Sequence, residues 1–120
     1  MKLSKVRLTK DASNRLRFVA GRTGLTPNLL CRIGFCISLA EPSIPNYDSE
    51  AEEDREFNRY TLLGEYDALF VAMLKQRCSN DGVPEQRLVD MFKAHLNRGV
   101  EILQKRTKSL PDLVAMISQK

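Results

Sequence analysis

One histidine, no tryptophan and an odd three cysteines are all that this 120-residue sequence offers of those side chains. It holds no glycine-rich phosphate loop, no dinucleotide-binding glycine fingerprint, no HExxH, no paired CxxC and no GxSxG. Those patterns place a phosphate, metal or nucleophile at a fixed distance from its helpers, so their absence removes the commonest routes to catalysis. Cys31 and Cys36 are five apart, about 140° around a helix, and cannot hold one metal ion together. Cys78 is isolated at a helix end, where exposure would make it reactive; the reading for all three thiols is structural. His95 falls on the apolar side of its helix with no partner at a nucleophile's spacing, which fits a hydrogen-bonded core residue. No catalytic residue, metal site or cofactor is expected. No apolar run approaches the roughly 18 residues of a membrane span. The first residues also lack the basic, apolar and small succession of a secretory signal. A cytoplasmic protein with no membrane partner is the expectation.

What is present is charge, unevenly placed. The net charge is +4, with 28% charged and 42% hydrophobic residues. Residues 1–35 hold eight basic residues against Asp11 alone, whereas 36–60 hold seven acidic against two basic. The last sixty residues carry nine basic and seven acidic. A basic front end is the footprint of a polyanion binder, and the acidic segment behind it can shield or orient that face. The length suits one domain, 1–120, divided into a basic strand-helix-helix unit over 1–40, an acidic loop over 41–55 and a helical remainder over 56–120.

The basic unit organises the rest. From Ser4 to Thr9, Val6 and Leu8 alternate with Lys5 and Arg7, so one strand face can bury and the other can meet phosphate. Helix 1 starts near Thr9 or Asp11 and ends at Gly21, with Ala12, Leu16, Val19 and Ala20 as its apolar stripe. Arg17 lies on the outer flank, Arg15 borders the stripe, and Phe18 falls outside it, which hints at a second buried surface. Thr26 then Pro27 is a strong start for helix 2: the hydroxyl can cap, and proline at the first position lacks only an amide already without a partner. Helix 2 is apolar almost all round. Leu30, Ile33, Gly34 and Ile37 share a face, Leu29, Cys31, Phe35 and Cys36 fill the rest, and Arg32 is the only charge. Such a helix needs cover on all sides, and a second copy of the chain would supply part of it. Gly21 and Gly24 either let backbones approach closely at that contact or merely end a helix and shape a loop. The expected self-association contacts are therefore Gly21, Gly24, Phe18 and Phe35. The order strand, helix, helix is that of a ribbon-helix-helix DNA binder, in which two chains pair their strands.

Further on, the prolines, serines and carboxylates of 41–53 read as a solvated surface loop rather than a calcium loop, since the ligand order and the glycine are missing. Phe57 to Leu63 fits a short strand, an extended segment or an early helical turn. Arg55, Asn58, Arg59 and Tyr60 either touch nucleic acid or hold the loop. Helix 3 starts near Gly64 and buries Tyr66, Leu69, Phe70, Met73 and Leu74. Helix 4 starts at Val83–Glu85 and buries Leu88, Met91, Phe92, His95, Leu96, Gly99, Ile102 and Leu103. A basic turn with Lys105, Arg106 and Lys108 follows. A last helix capped by Ser109 lays Leu110, Leu113, Val114 and Ile117 on the core. The fold class is mainly α: about five helices with a short N-terminal ribbon-helix-helix-like strand.

LTKDASNRLRFVAGRTGLTPNLLCRIGF, from Leu8 to Phe35, followed by EFNRYTLLGEYDALFVAMLK, from Glu56 to Lys75, resembles the DndE family, the small subunit of the bacterial DNA phosphorothioation machinery. The resemblance covers roughly the first two thirds of the chain. In that system a sulfur atom replaces a non-bridging oxygen of the DNA backbone. A cysteine desulfurase supplies the sulfur, and the chemistry falls to larger subunits resembling a sulfurtransferase or nucleotide-dependent reductase and an ATPase. The resemblance implies a subunit that binds DNA and works with those partners; it brings no catalytic motif. Together with the charge map, it leads to a homo-oligomer, dimer or tetramer, that displays Lys5, Arg7, Lys10, Arg15, Arg17 and Arg22 to double-stranded DNA, extended to nicked duplex. Two other readings stand beside it: an assembly subunit that docks the other modification proteins with little DNA binding, and an enzyme using Cys78 as a sulfur carrier.

Overall fold

The computed structural model describes residues 1–107 and 110–118. Along them run β1 (Lys5–Thr9), α1 (Lys10–Thr23), α2 (Pro27–Ala40), β2 (Glu53–Asn58), α3 (Arg59–Leu63), α4 (Asp67–Asp81), α5 (Leu88–Arg106) and α6 (Leu110–Ser118). Single 3-10 turns at Gly64–Tyr66 and Glu85–Arg87 lead into α4 and α5. Five of the helices are substantial and α3 is little more than one turn, so the mainly helical expectation holds.

The strand alternates as its sequence demands, with Val6 and Leu8 buried and Lys5 and Arg7 exposed. Its partner is a strand of the same chain. Antiparallel β2 sets Asn58 opposite Lys5, Phe57 opposite Val6 and Glu56 opposite Arg7, so the two-stranded ribbon forms without a second copy. Beyond Arg7 the register slips: Thr9 faces Glu53, two steps on β1 answering three on β2. Such a bulge orphans an amide, and here Arg55 N–H donates to the buried Ser13 Oγ at 3.1 Å. Glu53–Asn58 therefore belongs to a strand rather than to an acidic loop ending at 55; of its side chains only Phe57 is buried.

Thr9 ends β1 and caps α1, its hydroxyl accepting from Ala12 N–H at 3.1 Å. The helix does not stop at Gly21. It continues to Thr23 and closes at Gly24, whose φ of 74° is left-handed and whose amide donates to Ala20 O. Thr26 and Pro27 start α2 as expected, with Thr26 Oγ1 accepting from Leu29 N–H.

The core is built on the crossing of α2 over α5. A Cβ on Gly34 would lie 2.8 Å from the carbonyl carbon of Gly99, and one on Gly99 would collide with Gly34 O. Both residues must be glycine for the two backbones to touch. The contact rotates α2 from the expected face, so that Leu30, Cys31, Gly34, Phe35 and Ser38 are buried while Ile33 and Ile37 are only partly covered. Phe35 fills the space between α4 and α5, with ring centroids 5.9 Å from Phe70 and 5.3 Å from Phe92. On α4 the buried face is Phe70, Leu74 and Cys78; Tyr66 and Leu69, expected inside, are half exposed. α5 buries Leu88, Met91, Phe92, His95, Leu96, Gly99 and Leu103 as its periodicity requires, with Ile102 at the margin. Leu113 of α6 is buried, whereas Val114 is exposed. Lys108 and the cap at Ser109 lie outside the described residues, as do the side chains of Leu110 and Ile117.

Candidate nucleic-acid interface

β1 and α1 carry the front-end cations, and burying Val6, Leu8, Ala12, Leu16 and Val19 is what turns Lys5, Arg7, Lys10, Arg17 and Arg22 outward. The pairing of β2 with β1 then brings carboxylates to the same place. Arg7 Nε lies 3.1 Å from Glu56 Oε1, Lys10 Nζ 3.7 Å from Glu52 Oε1, and Arg17 Nη2 4.0 Å from Asp54 Oδ2. All six side chains stay exposed. Exposed pairs of this kind contribute only about 0 to 1 kcal/mol each, so they orient the cations without removing them from solution. Lys5 makes no ion pair among the described residues. Arg22 lies over the Phe18 ring, 5.1 Å from its centroid.

Two of the front-end arginines are tied to the fold instead. Arg15 donates to Asp11 at 2.8 Å and to Gln104 of α5 at 2.6 Å, half-buried between two helices. Arg32 donates to Leu62 O at 2.6 Å and Thr61 O at 3.3 Å, satisfying carbonyls at the end of α3. Arg59 is likewise a staple. Buried, it grips Asp67 with two bonds of 2.9 and 2.8 Å and donates to Met1 O and Leu3 O. Asn58 caps α3 through Tyr60 N–H and Thr61 N–H, and Arg55 stacks over Phe57. Of that quartet only Arg59 is buried; Arg55, Asn58 and Tyr60 are exposed.

The four expected self-association residues separate. Phe18 is 42% exposed, with the Arg22 guanidinium over its ring. Gly21 is exposed on α1, and a Cβ there would meet nothing within 4 Å. Gly24 terminates the helix, the second of the two roles open to it. Phe35 is 0% exposed, sealed by its own chain, and has no surface left for a second copy. Its helix is apolar on many sides because α4 and α5 cover it.

Ser38 Oγ sits 2.8 Å from His95 Nδ1, a hydroxyl–imidazole pair that sequence spacing did not reveal. Both side chains are sealed from solvent. Arg98 Nε donates to the same Ser38 oxygen at 2.8 Å, leaving the hydroxyl proton to point at Nδ1. Burial first, then Arg98 and Arg77, lowers the His95 pKa to about 4, so the ring is neutral and does structural work. Arg98 and Arg77 further hold Ser38 O and Leu39 O at the end of α2 and Ser43 O in the loop beyond. Burial pushes the Cys31 thiol up to about 12 and also raises Cys36 and Cys78. Cys78 borders an open depression of about 290 Å³ lined by Lys75, Ser79, Val83, Glu85 and Leu88, but it is itself buried and its thiol is held in the protonated form. Among the described residues no group of three histidines, cysteines or carboxylates is placed to hold a metal ion, and no helix is long and apolar enough to cross a membrane.

The carboxylates that meet the basic face come from the acidic segment expected to shield or orient it; what sequence reasoning missed is that a strand paired with β1 sets them there. A signal existed in the acidic residues at every second position, 52, 54 and 56, followed by an aromatic at 57.

The chain matches the family model described as DNA sulphur modification protein DndE over residues 5–110. Its fold is similar to the crystal structure of DndE from Escherichia coli B7A, involved in DNA phosphorothioation modification. That likeness has a TM-score of 0.69 at 22% identity, over 86% of this chain and 98% of that one. It is similar also to a crystal structure of a DndE G21/24K mutant involved in DNA phosphorothioation, with a TM-score of 0.64 at 19% identity, over 84% and 98% of the two chains. No curated protein matches the sequence. With a family match that runs through β1, the helical core and the start of α6, the chain belongs to the DndE family of DNA sulphur modification proteins.

Proposed function

We propose that this chain is a non-catalytic subunit of the DNA phosphorothioation machinery that holds duplex DNA, intact or nicked, through the cations of β1 and α1. The observation that carries the reading is the outward ridge of Lys5, Arg7, Lys10 and Arg17, with Arg22 exposed further round α1, in a member of a DNA sulphur modification family. Arg15 acts from the edge of this ridge, its guanidinium shared with Asp11 and Gln104. Backbone contacts need charge rather than base-reading geometry, and a ridge supplies that. Phe18, partly covered by Arg22, and Gly21 form an exposed, partly apolar spot on α1 suited to a second copy, with Gly24 setting the turn beside it, so a homodimer or homotetramer would multiply the phosphate contacts. Gel shifts with intact, nicked and single-stranded DNA across a salt series test the reading. Salt-sensitive binding of duplex supports it, and binding of none of the three rejects it.

The pairing of Arg7, Lys10 and Arg17 with β2 favours a second reading, an adaptor whose cations are already neutralised and whose task is to join the other phosphorothioation subunits. Capture of those subunits without DNA, together with no DNA binding by the isolated chain, selects it.

A further inference from the structure

Three of the ridge cations are already occupied, and by one short stretch of chain. Glu56 is the cross-strand partner of Arg7, Glu52 accepts the Lys10 amide through its carbonyl at 2.7 Å, and Asp54 lies in the bulge between them. Their carboxylates reach Arg7, Lys10 and Arg17 at 3.1, 3.7 and 4.0 Å. Carboxylate and phosphate oxygens offer a cation the same thing, an acceptor with negative charge. A backbone ladder that fixes a row of carboxylates beside a row of cations therefore presents them with a stand-in for a nucleic-acid strand.

We infer that β2 and the residue that leads into it are a built-in competitor: Glu52, Asp54 and Glu56 occupy the phosphate positions of Arg7, Lys10 and Arg17 until a polyanion displaces them. The inference rests on the DNA-binding reading and adds its regulation. The strand itself stays in place, held by its ladder to β1 and by Arg55 N–H on Ser13, so displacement is a rotation of six exposed side chains. Each exposed pair is weak, which makes the mask easy to open for a ligand as densely charged as duplex DNA. A ligand that makes only one or two contacts still faces the remaining carboxylates. The mask thus sets a threshold, admitting a continuous phosphate backbone and turning away small or sparsely charged anions.

The test removes the three charges while keeping the side-chain shapes. Glu52→Gln, Asp54→Asn and Glu56→Gln together are compared with wild type and with a control triple, Glu65→Gln, Glu85→Gln and Asp90→Asn. The control changes net charge equally at carboxylates that make no ion pair among the described residues. Duplex DNA binding is followed by fluorescence anisotropy from low to moderate salt. The β2 triple is expected to bind at least tenfold tighter at low salt. Its plot of log affinity against log salt should keep the wild-type slope, because the same three cations reach phosphate in both proteins once the carboxylates are displaced. The control should change affinity less than threefold and leave the slope alone. A β2 triple that binds like wild type, or no better than the control, overturns the mask while leaving DNA binding intact. Binding by the β2 triple alone supports the mask, and binding by none of the three proteins at the lowest salt overturns DNA binding and the mask together. Should the triple fail to fold in a thermal melt, Glu56→Gln against Glu65→Gln makes the same comparison, with about a threefold gain expected for the first alone.

Discussion

The chemistry open to a side chain here is decided by the direction in which its helix turns it. Cys31 and Cys78 face the core and Cys36 faces solvent, although all three look alike in an apolar sequence. Only thiolate reacts with a disulfide reagent, so Ellman's reagent should label Cys36 within the native protein's first phase and reach Cys31 and Cys78 only on unfolding. Fast labelling of Cys78 would reopen its role as a sulfur carrier. His95 gives a pH prediction. Its native pKa of about 4 lies below the ordinary 6.5, so between those values the unfolded chain binds a proton that the native protein refuses. The stabilisation is complete above pH 6.5 and is lost as pH falls toward 4, by up to about 3 kcal/mol. Urea midpoints at pH 7 and pH 4.5 should therefore diverge less for His95→Gln than for wild type. The glycines divide by context that the sequence does not show. Gly21→Ala should leave stability unchanged or raise it by under about 1 kcal/mol, because α1 is open there. Gly99→Ala should cost at least about 2 kcal/mol, because its methyl meets the Gly34 backbone. Equal effects of the two substitutions on the urea midpoint would remove the close crossing from the fold.

Elements whose reasons are local were legible, and those whose reasons are distant were not. Thr26 and Pro27 start α2 by capping chemistry contained within four residues, and the alternation of β1 is written in its own side chains. β2 is different. Acidic residues have little strand preference, and five of its six side chains are exposed, so its first residues read as the end of an acidic loop and a short strand is only one of three readings from Phe57 onward. What makes it a strand is β1, some fifty residues away, together with Phe57 and the Ser13 hydroxyl that answers its bulge. α2 divides for a related reason: its apolar circumference suggests cover from another chain for part of it, α5 supplies much of the cover through two glycines, and Leu29 and Cys36 stay exposed. Arg59 links these elements, because its guanidinium fastens the N-terminal segment and the start of α4 together. Arg59→Ala should cost about 3 to 5 kcal/mol by stranding a partly buried Asp67 carboxylate and two carbonyls. Arg59→Lys should recover less than half, since an ammonium cannot make the paired bonds. A urea midpoint for Arg59→Ala within error of wild type would show that the staple holds nothing.

On the whole molecule, the asymmetric charge map was readable from the sequence, and what the fold adds is that its two halves meet. The basic front end and the acidic segment lie side by side, so the surface is a cationic ridge with its own counter-charges. Its reach depends on copy number. Light scattering should find a dimer or tetramer, and Gly21→Lys with Gly24→Lys should both reduce that mass and weaken DNA binding; a monomer in wild type would confine the ridge to one chain. The most direct measurement is duplex affinity across a salt series for wild type and for Arg7→Ala, Lys10→Ala and Arg17→Ala combined. The ridge predicts that log affinity falls linearly with log salt in wild type, and that the triple binds more weakly with a slope shallower by about 2 to 3. A triple variant with wild-type affinity and slope would contradict it.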